Sequence, residues 1–535
     1  MFKEKLATTL NKNKNIFIPV LFFILIFLIY GKTMSGDFVF DDRYIVNSNQ
    51  TFQLENFVNV VTSPYWNTES GLYRPITLVS YAVNYSVFGT KPWSFHFVNL
   101  IFYSWTCYLI FLFIKKLTQK ELLAFLSALI FLVLPIHSEA VANIIGRAEI
   151  LALFFSLLFL LEIIKEKPKT FLAGLWLLLA LGSKENATII IPLGLILFLQ
   201  KNTGLKYKDW LSISWGAFIY FGSRLQVLGW SYFSNLETSI VENPLKFESV
   251  IPRTATSFKI LTIYLQKTFW PFNLCSDYSY NQIPALKNFA DIWALAGLII
   301  FTMFVVSIFI FWHRKPIISF SAAIFVFGFL ITSNIPFTTG TIAGERLIYY
   351  PSLGLAIITA YVLTLLIKKL PSLWPKIIVG ILTTLLIIFY AWQSHARSLD
   401  WLTEKSLFTS AAKCAPNSVL SRSNYGAMFY QVGDLKNAEK ELVAAEKIYN
   451  GYPKGLNNLG LVYWKKGEKE KAQEYFLKAI NFAFPYPGAY ENLALMALEN
   501  GDIKEARKWL TLFYGGNKIA AEDYIKNLIS KNNSL

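Results

Sequence analysis

The chain has 535 residues, of which 54% are hydrophobic and only 16% are charged. Soluble domains carry about 25% charged residues, so this composition excludes an ordinary soluble protein and predicts an integral membrane protein. The formal net charge is +16, but from residue 400 onward 18 Lys and Arg face 15 Asp and Glu, a difference of only +3. The remaining +13 belongs to the apolar part, where an excess of Lys and Arg is expected in the loops on the cytoplasmic side of a membrane. The charge therefore indicates membrane topology and does not indicate a nucleic-acid partner.

The apolar part divides into eleven runs that are long enough to approach a membrane span, for which about 20 apolar residues are needed. The first run lacks a small-residue cleavage site and further runs follow it, so we interpret it as an uncleaved anchor. The runs lie near residues 16–30, 97–114, 122–136, 149–164, 170–183, 187–200, 210–224, 289–312, 317–334, 350–367 and 375–393.

Lys and Arg predict the orientation of these spans. Basic segments such as "KKLTQK" from residue 115, "KEKPK" from 165 and "KK" at 368 follow alternate runs. Cytoplasmic loops carry such an excess, so these loops are predicted to be cytoplasmic. A further apolar stretch, 256–270, would invert every later loop if it crossed the membrane, and we therefore expect an interfacial or re-entrant segment there.

The loops on the opposite face carry the other ionisable groups. They contain "FVFDD", "YRPI", "PIHSEAVANIIGRAE", "SKEN", "WPFNLCSDYS" and "GERLIYYPSLG". The cytoplasmic loops are little more than Lys and Arg with spacers. We therefore expect any chemistry to be extracytoplasmic.

The last part of the chain is predicted to be a helical repeat array. A period of 34 residues separates Asn424, Asn458 and Asn492, and the same period separates three Gly and three Ala residues. This period, with small residues where paired helices meet, is typical of tetratricopeptide repeats. We therefore predict a membrane domain at 1–398 and an extracytoplasmic domain at 399–535 with three repeats and a capping helix.

The order of these motifs resembles the transmembrane and tetratricopeptide-repeat O-mannosyltransferase family. The resemblance runs from about residue 16 to the C-terminus, and its short motifs are specific through their fixed order. It implies an all-α fold, in which a polytopic helical bundle of the GT-C glycosyltransferase type precedes an α-solenoid. Animal members carry more repeats, so the chain is similar to a short, prokaryotic-like member.

The resemblance also implies a function. Members of the family use a polyprenyl or dolichyl phosphate sugar and a hydroxyl acceptor on a translocated polypeptide. The expected activity is transfer of a hexose, mannose by resemblance, to Ser or Thr of exported proteins. The membrane would be a prokaryotic plasma membrane, or the endoplasmic reticulum with a luminal site, and the partners would be membrane lipid, the lipid-linked donor and a polypeptide bound by the repeats.

Two adjacent carboxylates, Asp41 and Asp42, are the predicted catalytic residues. A carboxylate at a membrane surface, partly desolvated by aromatic neighbours such as Phe38 and Phe40, has a raised pKa and is a better base than a solvated one. Asp41 aligns with the first acid of the family's paired-acid motif and is the expected base, whereas Asp42 would position the acceptor or a metal. The alternative is that this segment is a helix cap or a local ion pair.

Cations on the same face are the predicted ligands of the donor phosphate, because Arg can clamp phosphate oxygens in a bidentate way. Each has a structural alternative, either an internal ion-pair network or snorkelling to the interface. The predicted phosphate-binding residues are Arg74, His137, Arg147, Lys184 and Arg346. The predicted supporting residues are Glu139, Glu149, Glu185, Asp277, Tyr278 and Glu345.

Other chemistry is less well supported by the sequence. Two neighbouring Asp without a clustered third carboxylate make a poor cage for Mg²⁺ or Mn²⁺, so no obligatory metal or cofactor is expected, with a divalent ion left as an alternative. Transfer to a glycan or lipid acceptor also stays open. So does a scaffold or transporter without enzymatic activity, although a transporter should carry polar groups through the middle of its spans.

Overall fold

The structure is a computed structural model that describes residues 2–43, 56–66, 71–229, 238–482 and 486–532. Of residues 2–15 and 528–532 it describes the backbone alone. The chain forms two compact units: residues 1–276 with 285–407, and residues 277–284 with 408–535. The first is the membrane unit and the second is the repeat unit.

All regular secondary structure in the described part of the membrane unit is helical. Its α-helices are α1 (Phe2–Tyr30), α2 (Phe57–Thr62), α3 (Pro75–Phe88), α4 (Pro92–Thr118), α5 (Glu121–Val133), α6 (Ser138–Ala142), α7 (Arg147–Ile163), α8 (Thr170–Ser183), α9 (Ile190–Leu199), α10 (Tyr207–Ile213), α11 (Trp215–Leu228), α12 (Val250–Phe269), α13 (Ile292–Ile310), α14 (Pro316–Thr332), α15 (Tyr349–Lys369) and α16 (Leu373–Ser398).

Six helical segments of the described residues are long and apolar enough to cross a membrane, and a bent pair, α5 with 135–142, would make a seventh. Three shorter apolar helices, 170–183, 185–199 and 316–332, accompany them. Ten of the eleven predicted runs correspond to these segments, and the eleventh, 210–224, is divided between α10 and α11. The chain is therefore a polytopic, all-α membrane protein. The stretch predicted to be interfacial or re-entrant lies within the continuous helix α12.

Short 3₁₀ segments join the long helices where the ionisable motifs lie. They are Pro135–His137, Ile144–Gly146, Glu185–Ile189 and Glu345–Ile348. After α5, Pro135 cannot donate a helical hydrogen bond, and the chain bends by 56°. These breaks turn side chains from several helices toward one region.

The repeat unit follows the predicted pattern of helical pairs. After α17 (Glu404–Cys414), within which the two units divide, come α18 (Val419–Gln431), α19 (Leu435–Ile448), α20 (Pro453–Lys465), α21 (Lys469–Ile480), α22 (Pro487–Glu499), α23 (Ile503–Phe513) and α24 (Lys518–Asn532). The pairs α18–α19, α20–α21 and α22–α23 are the three predicted repeats, and α24 packs on the last of them.

Small residues allow the paired helices to approach closely. A Cβ atom on Gly460 of α20 would lie 2.5 Å from the ring of Phe476 on α21. The turn residue Gly433 has a φ of +81°, a conformation that glycine adopts without steric cost. The repeat prediction is therefore confirmed in the packing as well as in the spacing.

Candidate functional site

The best exposed of the predicted cations is Arg346, which pairs with Glu139. Arg346 donates to Glu139 from its backbone N–H at 2.9 Å and from Nη1 at 2.8 Å. Glu139 is buried, whereas 30% of the Arg346 side chain is exposed. A guanidinium has five N–H donors, and the bond to Glu139 uses one of them.

Lys184 and Glu149 form a second ion pair, which is deeply buried. The Lys184 ammonium donates to Oε1 of Glu149, and the two side chains are 8% and 1% exposed. Lys184 follows α8, and Glu149 lies in the first turn of α7, so this pair joins two neighbouring helices. A charged pair at this depth is stable only while both partners are present.

Arg74 forms the third pair, with Glu185. Its Nε and Nη2 atoms both lie 3.0 Å from Oε2 of Glu185. The guanidinium also lies over the ring of Tyr65, 4.8 Å from the ring centroid. Arg224 of α11 approaches the other oxygen of Glu185 at 3.6 Å. Arg224 is therefore a fourth cation in this region, beside Arg346, Lys184 and Arg74.

The three ion pairs belong to one cluster, which we call the charged cluster: Asp41, Arg74, Glu139, Glu149, Lys184, Glu185 and Arg346. Arg346 interacts electrostatically with Asp41, Glu149 and Arg74 in addition to Glu139. Lys184 interacts with both Arg74 and Arg346. Residues from five separate sequence motifs are thus brought together.

The two catalytic candidates, Asp41 and Asp42, lie in different environments although they are adjacent. Asp41 is half-buried and within electrostatic range of Arg346. Asp42 is 0% exposed, and its oxygens accept from the backbone N–H of Ile145 at 3.1 Å and of Val39 at 3.3 Å. Asp42 therefore ties the segment before α2 to the turn before α7.

A raised pKa is found at Asp42. Burial raises the pKa of Asp42 to about 8, although its hydrogen bonds to backbone N–H groups oppose the shift. The raised pKa favours the protonated carboxyl near neutral pH. Because it is enclosed, it cannot reach an acceptor or a metal, and the positioning role expected from the sequence becomes one of holding the loop that carries Asp41.

Arg147 lies in a buried polar network. Its Nε donates to Asn99 at 2.7 Å and its Nη2 donates to Asn84 at 2.9 Å. Backbone carbonyls of Ser80 and Phe95 accept two more bonds, and the side chain is 0% exposed. The expected contact with a donor phosphate does not fit this enclosure, since bonds within the protein use four of the five N–H donors.

His137 is also enclosed. Its ring nitrogens lie 3.1 Å from the hydroxyl of Tyr103 and 2.7 Å from that of Ser352. It also packs against Phe131 and Tyr349. His137 joins the break after α5 to α15, and its expected role as a phosphate ligand does not fit this position.

Three predicted supporting residues have structural contacts outside the charged cluster. Asp277 and Tyr278 belong to the repeat unit, where Asp277 accepts hydrogen bonds from the hydroxyls of Ser418 and Ser421 at the start of α18. Glu345 is fully buried and accepts from the backbone N–H of Cys275 at 2.5 Å. The contacts of Asp277 and Glu345 are therefore with other parts of the protein.

Two members of this region were missed by the sequence analysis. Arg224 could have been found, because a cation within an otherwise apolar run is a functional candidate by default. Tyr65, which underlies Arg74, lies in a segment without a distinctive pattern. In the described part of the chain, no group of three or more His, Cys, Asp or Glu could hold a metal ion.

Comparison with known proteins identifies similar sequences for both parts of the chain. Residues 233–305 match a family model described as protein O-mannosyl-transferase TMTC, and residues 453–484 match the tetratricopeptide repeat. Among solved structures, ArnT from Cupriavidus metallidurans bound to undecaprenyl phosphate has a TM-score of 0.42 and 13% identity, covering 87% of this chain and 81% of that one. That likeness is too weak to establish a shared fold.

The curated relatives carry the same name as the family model. Protein O-mannosyl-transferase F38B6.6 of Caenorhabditis elegans is 28% identical, covering 79% of this chain and 61% of its own length. The human proteins TMTC2 and TMTC4 are 24% and 27% identical, covering 79% and 74% of this chain and 60% and 62% of their own lengths. The chain thus spans about three fifths of these relatives, and its predicted resemblance to the transmembrane and tetratricopeptide-repeat O-mannosyltransferases is confirmed.

Proposed function

We propose that the chain is a membrane glycosyltransferase that moves a hexose, mannose by its resemblance, from a polyprenyl or dolichyl phosphate to Ser or Thr hydroxyls of exported polypeptides. The observation that carries this proposal is the charged cluster. Its half-exposed members, Asp41 and Arg346, supply a carboxylate and a phosphate-binding donor set in one place. Similarity to relatives named as O-mannosyl-transferases supports the same chemistry.

The cations account for binding of the donor phosphate. Arg346, Lys184 and Arg74 lie within electrostatic range of one another, so each raises the cost of the others' charge. The acidic partners offset this cost, and the single negative charge of the donor's phosphodiester would offset it further. Arg346 is the foremost ligand because it is the most exposed of the three and keeps further N–H donors.

Asp41 is the proposed general base. The acceptor hydroxyl oxygen attacks C1 of the sugar while the bond from C1 to the phosphate oxygen breaks. Asp41 accepts the hydroxyl proton, and the leaving phosphate takes the bonding electron pair beside Arg346. This division of labour requires that Asp41 and Arg346 face the same space, and their electrostatic interaction supports that requirement.

The orientation belongs to the same proposal. The charged cluster is made of residues from loops opposite the Lys- and Arg-rich ones, which by the positive-inside rule face the cytoplasm. We therefore place the reaction on the extracytoplasmic side. A lipid-linked sugar suits this location, because soluble nucleotide sugars are cytoplasmic substrates.

The test uses the purified full chain in nanodiscs with a radiolabelled polyprenyl-phosphate mannose and a Ser- and Thr-containing polypeptide. Transfer to the polypeptide, located on Ser or Thr by mass spectrometry, is the expected result. Arg346→Met should lower transfer at least tenfold. Arg422→Met, which removes a half-buried Arg paired with Glu441 in the repeat unit, is the matched control and should not lower it.

Transfer to a glycan or lipid in place of the polypeptide would contradict the proposed acceptor. It would leave the proposed reaction class, glycosyl transfer from a lipid phosphate, unchanged. If the intact protein turned over none of the donor, the proposal that the chain is an enzyme would be contradicted.

A further inference from the structure

The backbone of the segment 344–346, just before α15, is held by two other helices of the membrane unit. The N–H of Gly344 donates to the hydroxyl of Tyr264 on α12 at 3.0 Å. Two residues later, the N–H of Arg346 donates to Oε2 of Glu139 on α6 at 2.9 Å. The place from which the Arg346 side chain starts is therefore set by α12 as well as by α6.

The bond from Tyr264 acts on backbone that lies directly against the ion pair. A Cβ atom on Gly344 would lie 4.0 Å from Cγ of Arg346 and 4.0 Å from Oε2 of Glu139. Arg346 binds Glu139 through Nη1 as well as through its backbone N–H, so a shift of the segment would alter both bonds. The geometry of the pair therefore depends on where Gly344 is held.

Tyr264 lies next to the charged cluster but is enclosed by the protein. It is 3% exposed, and its hydroxyl interacts electrostatically with Glu139, Arg346 and Glu345. A phenylalanine would fill the same space, so packing alone does not require the hydroxyl, whereas a buried hydroxyl needs a hydrogen-bond partner. That partner is the N–H of Gly344, and the enclosed hydroxyl can act on a ligand only through the segment that it holds.

We propose that Tyr264 is a positioning residue for Arg346. Its hydrogen bond to Gly344 keeps the segment 344–346 in the place from which the guanidinium can reach the donor phosphate while Nη1 stays on Glu139. The inference rests on the proposed function for the identity of the ligand, a polyprenyl phosphate. The hold of Tyr264 on the segment is independent of any ligand.

The first test measures the affinity of a polyprenyl phosphate for the full chain in nanodiscs. Tyr264→Phe keeps the ring and removes the acceptor of the Gly344 N–H, so it should bind about fivefold more weakly than the wild type. Tyr390→Phe is the matched control. It also removes a buried hydroxyl that bonds to the backbone, but the partner is the carbonyl of Phe269, and it should bind as the wild type does.

A double-mutant cycle with Arg346→Met distinguishes positioning from a general loss of structure. If Tyr264 acts through Arg346, its hydroxyl has no effect on affinity once the guanidinium is gone. The double variant Tyr264→Phe, Arg346→Met should therefore bind as Arg346→Met alone does. A further fivefold loss in the double variant would overturn the inference, because the hydroxyl would then act independently of Arg346.

Hydrogen exchange tests the hold on the segment without a ligand. In Tyr264→Phe the N–H groups of 344–346 should exchange about fivefold faster than in the wild type, because Gly344 has lost its acceptor, whereas Tyr390→Phe should leave their exchange unchanged. Unchanged exchange in Tyr264→Phe would overturn the inference.

The outcomes separate the inference from the proposed function. Wild-type affinity in Tyr264→Phe, with weakened binding in Arg346→Met, would overturn the inference alone. If the wild type did not bind polyprenyl phosphate, the proposed function would be contradicted, and with it the ligand that Tyr264 is proposed to serve.

Discussion

Two ends of the motif "PIHSEAVANIIGRAE" place an acidic and a basic residue in contrasting surroundings. Glu139, near its start, is paired with a half-exposed arginine in the charged cluster. Arg147, near its end, is enclosed by neutral acceptors from Asn84, Asn99 and two backbone carbonyls. The first arrangement leaves charge at a surface where a ligand can compete for it, and the second uses nearly every donor to fix the loops around α7.

The comparison teaches that a buried arginine in a motif is not by itself a ligand-binding arginine. A guanidinium whose donors are used within the protein can bind phosphate only if those bonds break. Asp41 and Asp42 repeat the contrast within two residues, since only Asp41 is exposed. The following predictions test this division between the charged cluster and its buried support.

The largest effect is expected for Asp41→Asn. Loss of the base should lower the rate of transfer by at least 100-fold, because a positioned general base contributes about 10² to 10⁴ in rate. The melting temperature should stay within about 2 °C of the wild type, since Asp41 is half-buried. Wild-type transfer by this variant would remove Asp41 from the mechanism.

Arg147→Lys should act on stability. A lysine cannot reach four acceptors spread over α3 and α4, so the free energy of unfolding should fall by about 3 kcal/mol, measured by denaturation in detergent. Arg346→Lys is the matched control, because it changes the same residue type at a half-exposed position, and it should lower the free energy of unfolding by less than about 1 kcal/mol. Equal losses of unfolding free energy in the two variants would contradict the distinction between a structural Arg147 and a ligand-binding Arg346.

A double-mutant cycle tests the buried pair of Lys184 and Glu149. Lys184→Met leaves a buried carboxylate without its cation and should cost about 2 to 3 kcal/mol of unfolding free energy. Adding Glu149→Gln should recover about half of that loss, because the unpaired charge is removed. Additive losses would show that the two side chains are not coupled.

A further prediction concerns pH and Asp42. Its pKa is raised from 3.8 to about 8, so the folded protein binds a proton that the unfolded chain releases. This contribution to stability is complete below pH 3.8 and is lost as pH rises toward 8. Between about pH 5 and 8, the wild type should therefore lose melting temperature relative to Asp42→Asn, which carries no ionisable group there. Parallel curves of melting temperature against pH for the two proteins would contradict a raised pKa of the Asp42 carboxyl.

Much of the fold could be predicted from the sequence, because the length of the apolar runs and the 34-residue period of the repeats can both be seen in the sequence itself. The convergence of loops could also be anticipated, since Asp41, Lys184 and Arg346 lie in motifs that the sequence predicted to share one face, and the structure brings them into one cluster. Burial was not predictable in this way. Whether Arg147 reaches a ligand depends on Asn84 and Asn99, which lie 63 and 48 residues away in the chain.

Contacts made at the breaks between helices could not be predicted either. The 3₁₀ turn before α7 brings the N–H of Ile145 to Asp42, and no periodicity in the sequence predicts a contact over 103 residues. The assignment of Asp277 to the repeat unit likewise depends on serines more than 140 residues later. Motif order indicated a reaction class, whereas the roles of individual residues required their neighbours in space.

The central claim is that the charged cluster, with Arg346 foremost, binds the donor phosphate. The most direct measurement is a binding isotherm for a polyprenyl phosphate on the full chain in nanodiscs, compared among the wild type, Arg346→Met and Arg422→Met. Arg346→Met should bind at least tenfold more weakly, because a charged donor to phosphate is lost, whereas Arg422→Met should bind as the wild type does. Equal affinity in all three would contradict it.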